Sequence, residues 1–319
     1  MRVFRRLQYY ISNVASDSFK SRISQCDFYS AIDPFSMEEI CESFERVNYC
    51  NKLSSKFTLS DPVSLSGVDK FGSMYYYDLK EYFRYFTKGL GLSYVFGDVT
   101  EIPAVPSIVK SRPIAGDNSN SVILNLDKFR HYYTIKDRLD FRAKLPRAVW
   151  RGRDNNVKRR QLVEGFHDHP LCDVGLVNGN LPEKYIKPWL SMRGQLQYRY
   201  ILSVEGIDVA TNLKWIMSSK SLCMMPKCVY ETWFMEGRLV PGFHFVLLND
   251  DFSDLPEKIK YYNQYPFAAE EIIKNANDYC AIFFDKRTEK LVSLLILMKY
   301  FFLSGQMELP DRLKELPWL

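Results

Sequence analysis

The residues best suited to chemistry in this 319-residue chain fall in three short segments: Val149-Trp150-Arg151-Gly152-Arg153, then Ser203-Val204-Glu205-Gly206 running on through Asn212 and Lys214 to Trp215, then Pro241-Gly242-Phe243-His244-Phe245-Val246. Each is an apolar run that ends in small, charged or amide residues, the pattern with which an open α/β sheet presents groups to a ligand at its strand ends. Arg151, Gly152 and Arg153, followed by Lys158, Arg159 and Arg160, concentrate cations around a strand-to-helix turn. A planar guanidinium matches phosphate with two parallel hydrogen bonds, and a helix N-terminus adds backbone donors and partial positive charge. A solvated basic face is the plainer alternative; the glycine between two arginines directly after a strand favours an anion. Gly206 would let a ligand approach the backbone, and Glu205 would accept bonds from ribose or hexose hydroxyls. Asn212 and Lys214 lie within reach of the same ligand, whereas Asp208 reads as an ordinary helix cap.

In the first half the carboxylate of most interest is Asp98, which follows an apolar run ending at Gly97 and precedes a loop stiffened by Pro103 and Pro106. Taken alone, an Asp in a loop is more often a turn residue than a general base. Lys110, Ser111, Arg112, Asn118 and Asn120, with Arg130 and His131, supply polar groups for a cleft beside it. His167-Asp168-His169 lacks further ligands at metal spacing, so no metal site is expected.

These groups need a scaffold. Ser36 and Glu39 form a capping-box pattern ahead of Ile40, Phe44 and Val47, which predicts a helix over 37–48. Leu79, Tyr82, Phe83 and Phe86 recur at helical spacing within 77–87, and 92–96 reads as a strand. From about 146, apolar runs at 148–151, 173–177, 200–204, 221–225 and 244–248 alternate with helical patterns at 159–166, 209–218, 256–262 and 268–281. That alternation predicts a parallel sheet wrapped by helices. A GxGxxG fingerprint is absent, so a dinucleotide cofactor is not expected.

The length suggests two domains at about 150 residues each. With 46% hydrophobic and 25% charged residues the chain reads as an ordered globular protein. A net charge of +5 is too mild to imply nucleic acid. The seven cysteines are scattered, without CxxC, and read as reduced thiols of a cytoplasmic protein. Residues 1–13 do not fit a signal peptide. Arg2, Phe4, Arg5, Arg6 and Leu7 suit either peripheral contact with anionic lipid or a plain helix. The apolar stretch from Leu291 to Leu303 is interrupted by Lys299 and reads as a terminal packing helix rather than a membrane span.

Together the segments resemble glycosyltransferase family 90, which includes bacterial lipopolysaccharide-modifying proteins, fungal capsule-associated proteins and animal protein O-glucosyltransferases. The resemblance runs from about Tyr94 to Phe302 and is carried by Trp150-Arg151-Gly152 with Arg159, by Ser203 to Trp215, by Ser218-Ser219-Lys220-Ser221, and by Tyr230-Glu231-Thr232-Trp233 through His244-Phe245-Val246 to Ser253-Asp254-Leu255. The stretch Glu205 to Trp215 is most similar to the bacterial lipopolysaccharide branch. The resemblance implies an α/β fold of GT-B type: two Rossmann-like domains facing a cleft, an acceptor-binding domain over 1–145, a nucleotide-sugar-binding domain over 146–285, and a helical segment over 286–319 that packs back on the first domain. It further implies an inverting glycosyltransferase that needs no metal or other cofactor. Its nucleotide sugar would be a UDP-sugar such as UDP-glucose, and its acceptor a hydroxyl of a bacterial surface glycan, either lipopolysaccharide core or O-chain or capsule. Asp98 would be the catalytic base, and the donor would be held by Arg151, Gly152, Arg153, Arg159, Ser203, Glu205, Gly206, Asn212 and Lys214. Animal members carry two arginines where this chain has Glu205 and Asn212, so their contacts do not transfer. The implied location is the cytoplasm or the inner face of the membrane. A non-catalytic nucleotide- or carbohydrate-binding protein is the competing reading.

Overall fold

The computed structural model describes residues 9–11, 27–70, 74–87, 89–132 and 134–314. Arg2, Phe4, Arg5, Arg6 and Leu7 lie outside the described residues. The chain divides into two compact units, Met1–Tyr132 with Asp285–Leu319, and Tyr133–Phe284.

In the first unit the helix Met37–Cys50 opens with the expected capping box. Glu39 N–H donates to Ser36 Oγ at 3.1 Å, and Ser36 N–H donates to Glu39 Oε2 at 2.8 Å. This satisfies two of the backbone donors that a helix start leaves over. The next helix, Met74–Phe83, ends before Thr87 because Tyr85 and Phe86 N–H groups reach only three residues back, to Tyr82 and Phe83 carbonyls. Strands β1 (Val63–Ser64), β2 (Gly91–Val95), β3 (Ser107–Val109) and β4 (Ser121–Ile123) form one sheet in the order β1-β2-β3-β4. Strand β1 is antiparallel to β2, and the other three are parallel. Their core residues Leu92, Ile108, Val109, Val122 and Ile123 are fully buried.

The apolar C-terminal stretch forms the helix Lys286–Leu303, which packs against Met37–Cys50 and Met74–Phe83 and is buried over most of its length. Lys299 is buried with it and donates to Asn48 Oδ1 at 2.7 Å and to the Asn51 carbonyl at 2.9 Å. Burial lowers its ammonium pKa to about 8. Among the described residues no helix is long and apolar enough to cross a membrane. Cys41, Cys50, Cys172, Cys223, Cys228 and Cys280 are free thiols.

The second unit is built on five parallel strands: β5 (Leu145–Arg153), β6 (Cys172–Asn178), β7 (Tyr198–Leu202), β8 (Leu222–Met225) and β9 (Val246–Leu247). They lie in the order β9-β8-β7-β5-β6. Helices Val157–Phe166, Leu255–Gln264 and Pro266–Ala281 carry the buried faces that cover the sheet. The succession of strands runs one way from β5 to β6 and the other way from β5 through β7, β8 and β9. A doubly wound parallel sheet binds ligands outside the carboxyl ends of its strands where the order reverses, here between β5 and β7.

The helix expected from Val209 begins only at Leu213. Asn212 Nδ2–H donates back to the Leu202 carbonyl at 3.0 Å, which ties the chain to the end of β7. Residues 203–212 therefore stay irregular, and Asp208 does not cap this helix.

Candidate functional site

At the carboxyl end of β5 the side chains alternate in environment. The Trp150 indole is buried, and a methyl built on Gly152 would stand 2.3 Å from its Cζ2 atom. Gly152 is thus required by the ring, independently of any ligand. Arg151 points to the neighbouring strand, where Nη2 pairs with Asp173 Oδ1 at 2.8 Å and Nη1 donates to the Asp173 and Trp150 carbonyls. Burial raises the Asp173 pKa, but hydrogen bonds from Tyr198, Arg151 and Lys187 overcome it and bring the carboxyl down to about 2. Arg151 is therefore committed to the sheet. Arg153 is exposed, and its side chain makes no hydrogen bond or ion pair among the described residues.

The turn after β5 is closed by two asparagines not singled out in the sequence. Asn156 caps the helix Val157–Phe166, accepting from Lys158 N–H at 2.8 Å, and its Nδ2–H donates to the Gly206 carbonyl at 2.7 Å. Their position directly ahead of Val157-Lys158 is a helix-start signal that sequence reasoning could have used. Asn155 Oδ1 accepts from Arg159 Nη1 at 2.7 Å. Arg159 also donates to the carbonyls of Val204 at 2.8 Å and Glu205 at 2.9 Å, joining the helix to the end of β7. Its guanidinium lies 5.5 Å over the Trp150 ring.

Among the described residues every hydrogen-bond partner of Arg159 is a neutral oxygen, and no ion pair compensates its charge. Burial lowers its pKa to about 10, against the opposing pull of Glu205, and it stays charged at neutral pH. Gly206 lies against the same guanidinium: a methyl there would come within 3.1 Å of Arg159 Nη2, a tight contact that the side chain would have to relieve by a small shift. Glu205 holds the Val229 and Tyr230 N–H groups on its Oε1 at 3.0 and 3.1 Å, and Oε2 makes no hydrogen bond among the described residues. Burial raises its pKa to about 7 in spite of those two donors. A pocket at this end of the sheet is lined by Lys158, Ser203, Glu205, Val209, Met225 and Tyr230.

Two further residues of the expected donor set hold the scaffold together. Asn212 accepts from Ser203 Oγ at 3.3 Å while bonding to Leu202. Lys214 is buried in an ion pair with Glu236 Oε1 at 2.5 Å, and Glu236 in turn accepts from Thr232 N–H at 2.6 Å. The structure thus gathers Arg153, Lys158, Arg159, Glu205 and Gly206 about the reversal of strand order, Lys158 Nζ being paired with the exposed Asp250 Oδ1 at 2.6 Å, with Arg151, Ser203, Asn212 and Lys214 bonded into the framework around them. A cationic turn beside a half-apolar pocket suits an anionic ligand with a less polar head.

In the first unit a second set of groups gathers at the carboxyl ends of β2, β3 and β4. Gly97 has φ 113°, a left-handed conformation that glycine adopts freely, and it delivers Asp98 at the end of β2. Lys110 follows β3 directly, and its buried Nζ donates to Asp98 Oδ1 at 2.6 Å. Arg130, from the short helix Lys128–His131 after β4, donates from Nη2 to the same oxygen at 3.1 Å. Asp98 Oδ2 makes no hydrogen bond among the described residues. Burial raises the Asp98 pKa, but Lys110 and Arg130 outweigh it and hold the carboxyl below its usual range. Asp98 is ionised at neutral pH with one oxygen anchored.

The other residues expected to line this region serve the backbone. Arg112 is fully buried and donates to the Tyr49 and Cys50 carbonyls at the end of the helix Met37–Cys50, and to the Ser121 carbonyl. Ser111 donates to the Val99 carbonyl, Asn118 to Pro113, and Asn120 to Pro103 and Ala104. In the second unit His167 pairs with Asp168 at 2.7 Å, and His169 Nδ1 accepts from Leu171 N–H. Among the described residues no group of three or more His, Cys, Asp or Glu side chains is placed to hold a metal ion.

The profile of Glycosyl transferase family 90 matches residues 123–289, which takes in the whole second unit and the Lys128–His131 turn but leaves Asp98 outside. The chain is 52% identical over 261 residues to O-glucosyltransferase LpsA of Dichelobacter nodosus, covering 80% of this chain and 81% of that protein. It is 29% identical over 137 residues to human Protein O-glucosyltransferase 3, and 26% over 140 residues to Protein O-glucosyltransferase 2 of Danio rerio. Those two matches cover 41% and 40% of this chain and 27% of each animal protein.

Proposed function

The chain belongs to glycosyltransferase family 90 and is a glycosyltransferase, and from that premise we propose that it transfers a hexose from a UDP-sugar such as UDP-glucose to a hydroxyl of a bacterial surface glycan. Membership of an enzyme family sets aside the reading of a non-catalytic binding protein. The glucose is suggested by the names of the relatives, and lipopolysaccharide core or O-chain as acceptor, ahead of capsule, by LpsA. The proposal includes the GT-B arrangement, with the acceptor on the first domain and the donor on the second, and a place in the cytoplasm or on the inner face of its membrane.

The observation that carries the donor assignment is the uncompensated Arg159 guanidinium at the reversal of strand order, beside exposed Arg153 and the free Oε2 of Glu205. In this reading Arg153, Lys158 and Arg159 meet the diphosphate, Gly206 admits it to the backbone, and Glu205 Oε2 accepts from a sugar hydroxyl. Asp98 Oδ2 takes the proton of the acceptor hydroxyl as that oxygen attacks the anomeric carbon. The bond from that carbon to the phosphate oxygen breaks on the opposite face, and the configuration inverts. The reaction as proposed uses no metal or other cofactor, so the cations of the strand ends stabilise the departing diphosphate. Removing one such contact costs roughly 2.7–4 kcal/mol of transition-state stabilisation, by analogy with oxyanion donors.

A panel of nucleotide sugars with the purified protein and a chelator tests this reading. One donor is expected to raise the melting temperature and to release nucleoside diphosphate slowly. If no nucleotide sugar binds at millimolar concentration, the donor site is wrong.

A further inference from the structure

Arg130 stands between two carboxylates. Its Nη2 donates to Asp98 Oδ1 at 3.1 Å and to the Tyr75 hydroxyl at 3.2 Å, while its Nε is paired with Asp127 Oδ2. Asp127 precedes the short helix Lys128–His131, where an aspartate would ordinarily turn its carboxylate onto the first free N–H groups. It makes no such bond. Its backbone is instead left-handed, with φ 57° and ψ 44°, a conformation uncommon outside glycine that aspartate and asparagine adopt more readily than other residues. The side chain is fully buried, and Oδ1 has no hydrogen-bond partner among the described residues. A buried carboxylate is unfavourable unless it is paired, and among the described residues its side-chain hydrogen bond goes to Arg130. The missing cap bond and the burial both single out that one contact.

We propose that the Asp127–Arg130 pair is a positioning device for Asp98, fixing Oδ1 so that Oδ2 faces the acceptor hydroxyl and setting how strongly that oxygen draws a proton. The inference rests on Asp98 being the base. Arg130 and Lys110 share one oxygen of Asp98, so the rotation of the carboxylate is fixed while its second oxygen stays open. Asp127 draws the Arg130 charge partly away from Asp98 and keeps the base from being over-stabilised as an anion. The charged and titratable groups that face Asp98 are Lys110 from the end of β3, Arg130 and Asp127 from the turn after β4, and Tyr75 from the helix Met74–Phe83.

The test is the pH profile of kcat/KM for hydrolysis of the donor that the nucleotide-sugar panel selects, with water in the acceptor's place. Arg130→Gln is expected to move the acidic limb to higher pH by roughly one unit, because a neighbouring cation is lost. Arg130→Lys keeps the charge and is expected to restore the limb but not the full kcat, since the fork geometry is gone. Asp127→Asn tolerates the left-handed backbone and is expected to move the limb the other way, with KM unchanged and kcat lowered. A purely structural role would lower all three rates without moving the limb, and profiles that superimpose on the wild type after scaling would overturn the proposal. If Arg130→Gln fails to fold, Asp127→Asn against Arg130→Lys decides the matter in the same way. Asp98→Asn separates the two levels: retained hydrolysis removes the base assignment and this inference with it. Lost hydrolysis together with unmoved profiles removes the inference alone.

Discussion

The Trp150 indole occupies the space that a side chain at Gly152 would need, since a methyl built there would stand 2.3 Å from ring atom Cζ2. The same ring has the Arg159 guanidinium 5.5 Å over its centre, so one buried aromatic links the strand-end glycine to the cation proposed for the diphosphate.

Gly152→Ala therefore has to displace either a buried ring or the end of β5. Overpacking of this kind costs about 1–3 kcal/mol, and the displaced ring would carry Arg159 with it. Urea denaturation and donor titration are expected to show both losses. A variant of wild-type stability would mean that the ring moves freely.

Arg151 and Arg153 are adjacent in type and spacing but differ in their surroundings. Arg151→Ala is expected to destabilise the fold by about 1–3 kcal/mol, because Asp173 loses a charged donor inside the sheet. Arg153→Ala is expected to change stability by less than about 0.5 kcal/mol and to weaken nucleotide-sugar binding. Paired denaturation and titration of the two variants check this, and the reverse ordering would exchange their roles.

This contrast marks what was legible in the sequence. The buried parallel strands read correctly as short apolar runs, because they are covered on both faces, and the capping box of Ser36 and Glu39 placed its helix. The strand-end cluster was also visible. Which of its cations would be neutralised was not, because the partners come from elsewhere in the chain: Asp173 lies 22 residues from Arg151, and Glu236 lies 22 residues from Lys214. Spacing along the chain carries no information about such pairs. The late start of the helix at Leu213 had the same cause, a bond from Asn212 to a strand-end carbonyl ten residues back. Asp127 gave no signal at all, since a left-handed aspartate before Lys128 reads like any other turn.

Glu205 supplies a dependence on pH. Its carboxyl is raised from 4.5 to about 7 by burial, so between those values the folded protein holds a proton that the unfolded chain has released. Its contribution to stability is thus present below pH 4.5 and is lost as pH rises to about 7. Glu205→Gln keeps an oxygen for the Val229 and Tyr230 N–H groups and removes the titration. The variant is expected to lose less stability than the wild type from pH 5 to 7 and to be the more stable above pH 7, by thermal melts across that range. Parallel curves would show that Glu205 ionises normally.

The account turns on Asp98 as the base, and the direct measurement is sugar transfer or donor hydrolysis by Asp98→Asn, with donor affinity measured on the same preparation. The substitution leaves the strand-end cations of the second unit untouched, so the dissociation constant of the nucleotide sugar is expected to stay within about twofold. Turnover is expected to fall by roughly 10²–10⁴, the contribution of a positioned general base. Turnover near the wild-type rate, with the fold intact, would contradict the account and place the base on another residue.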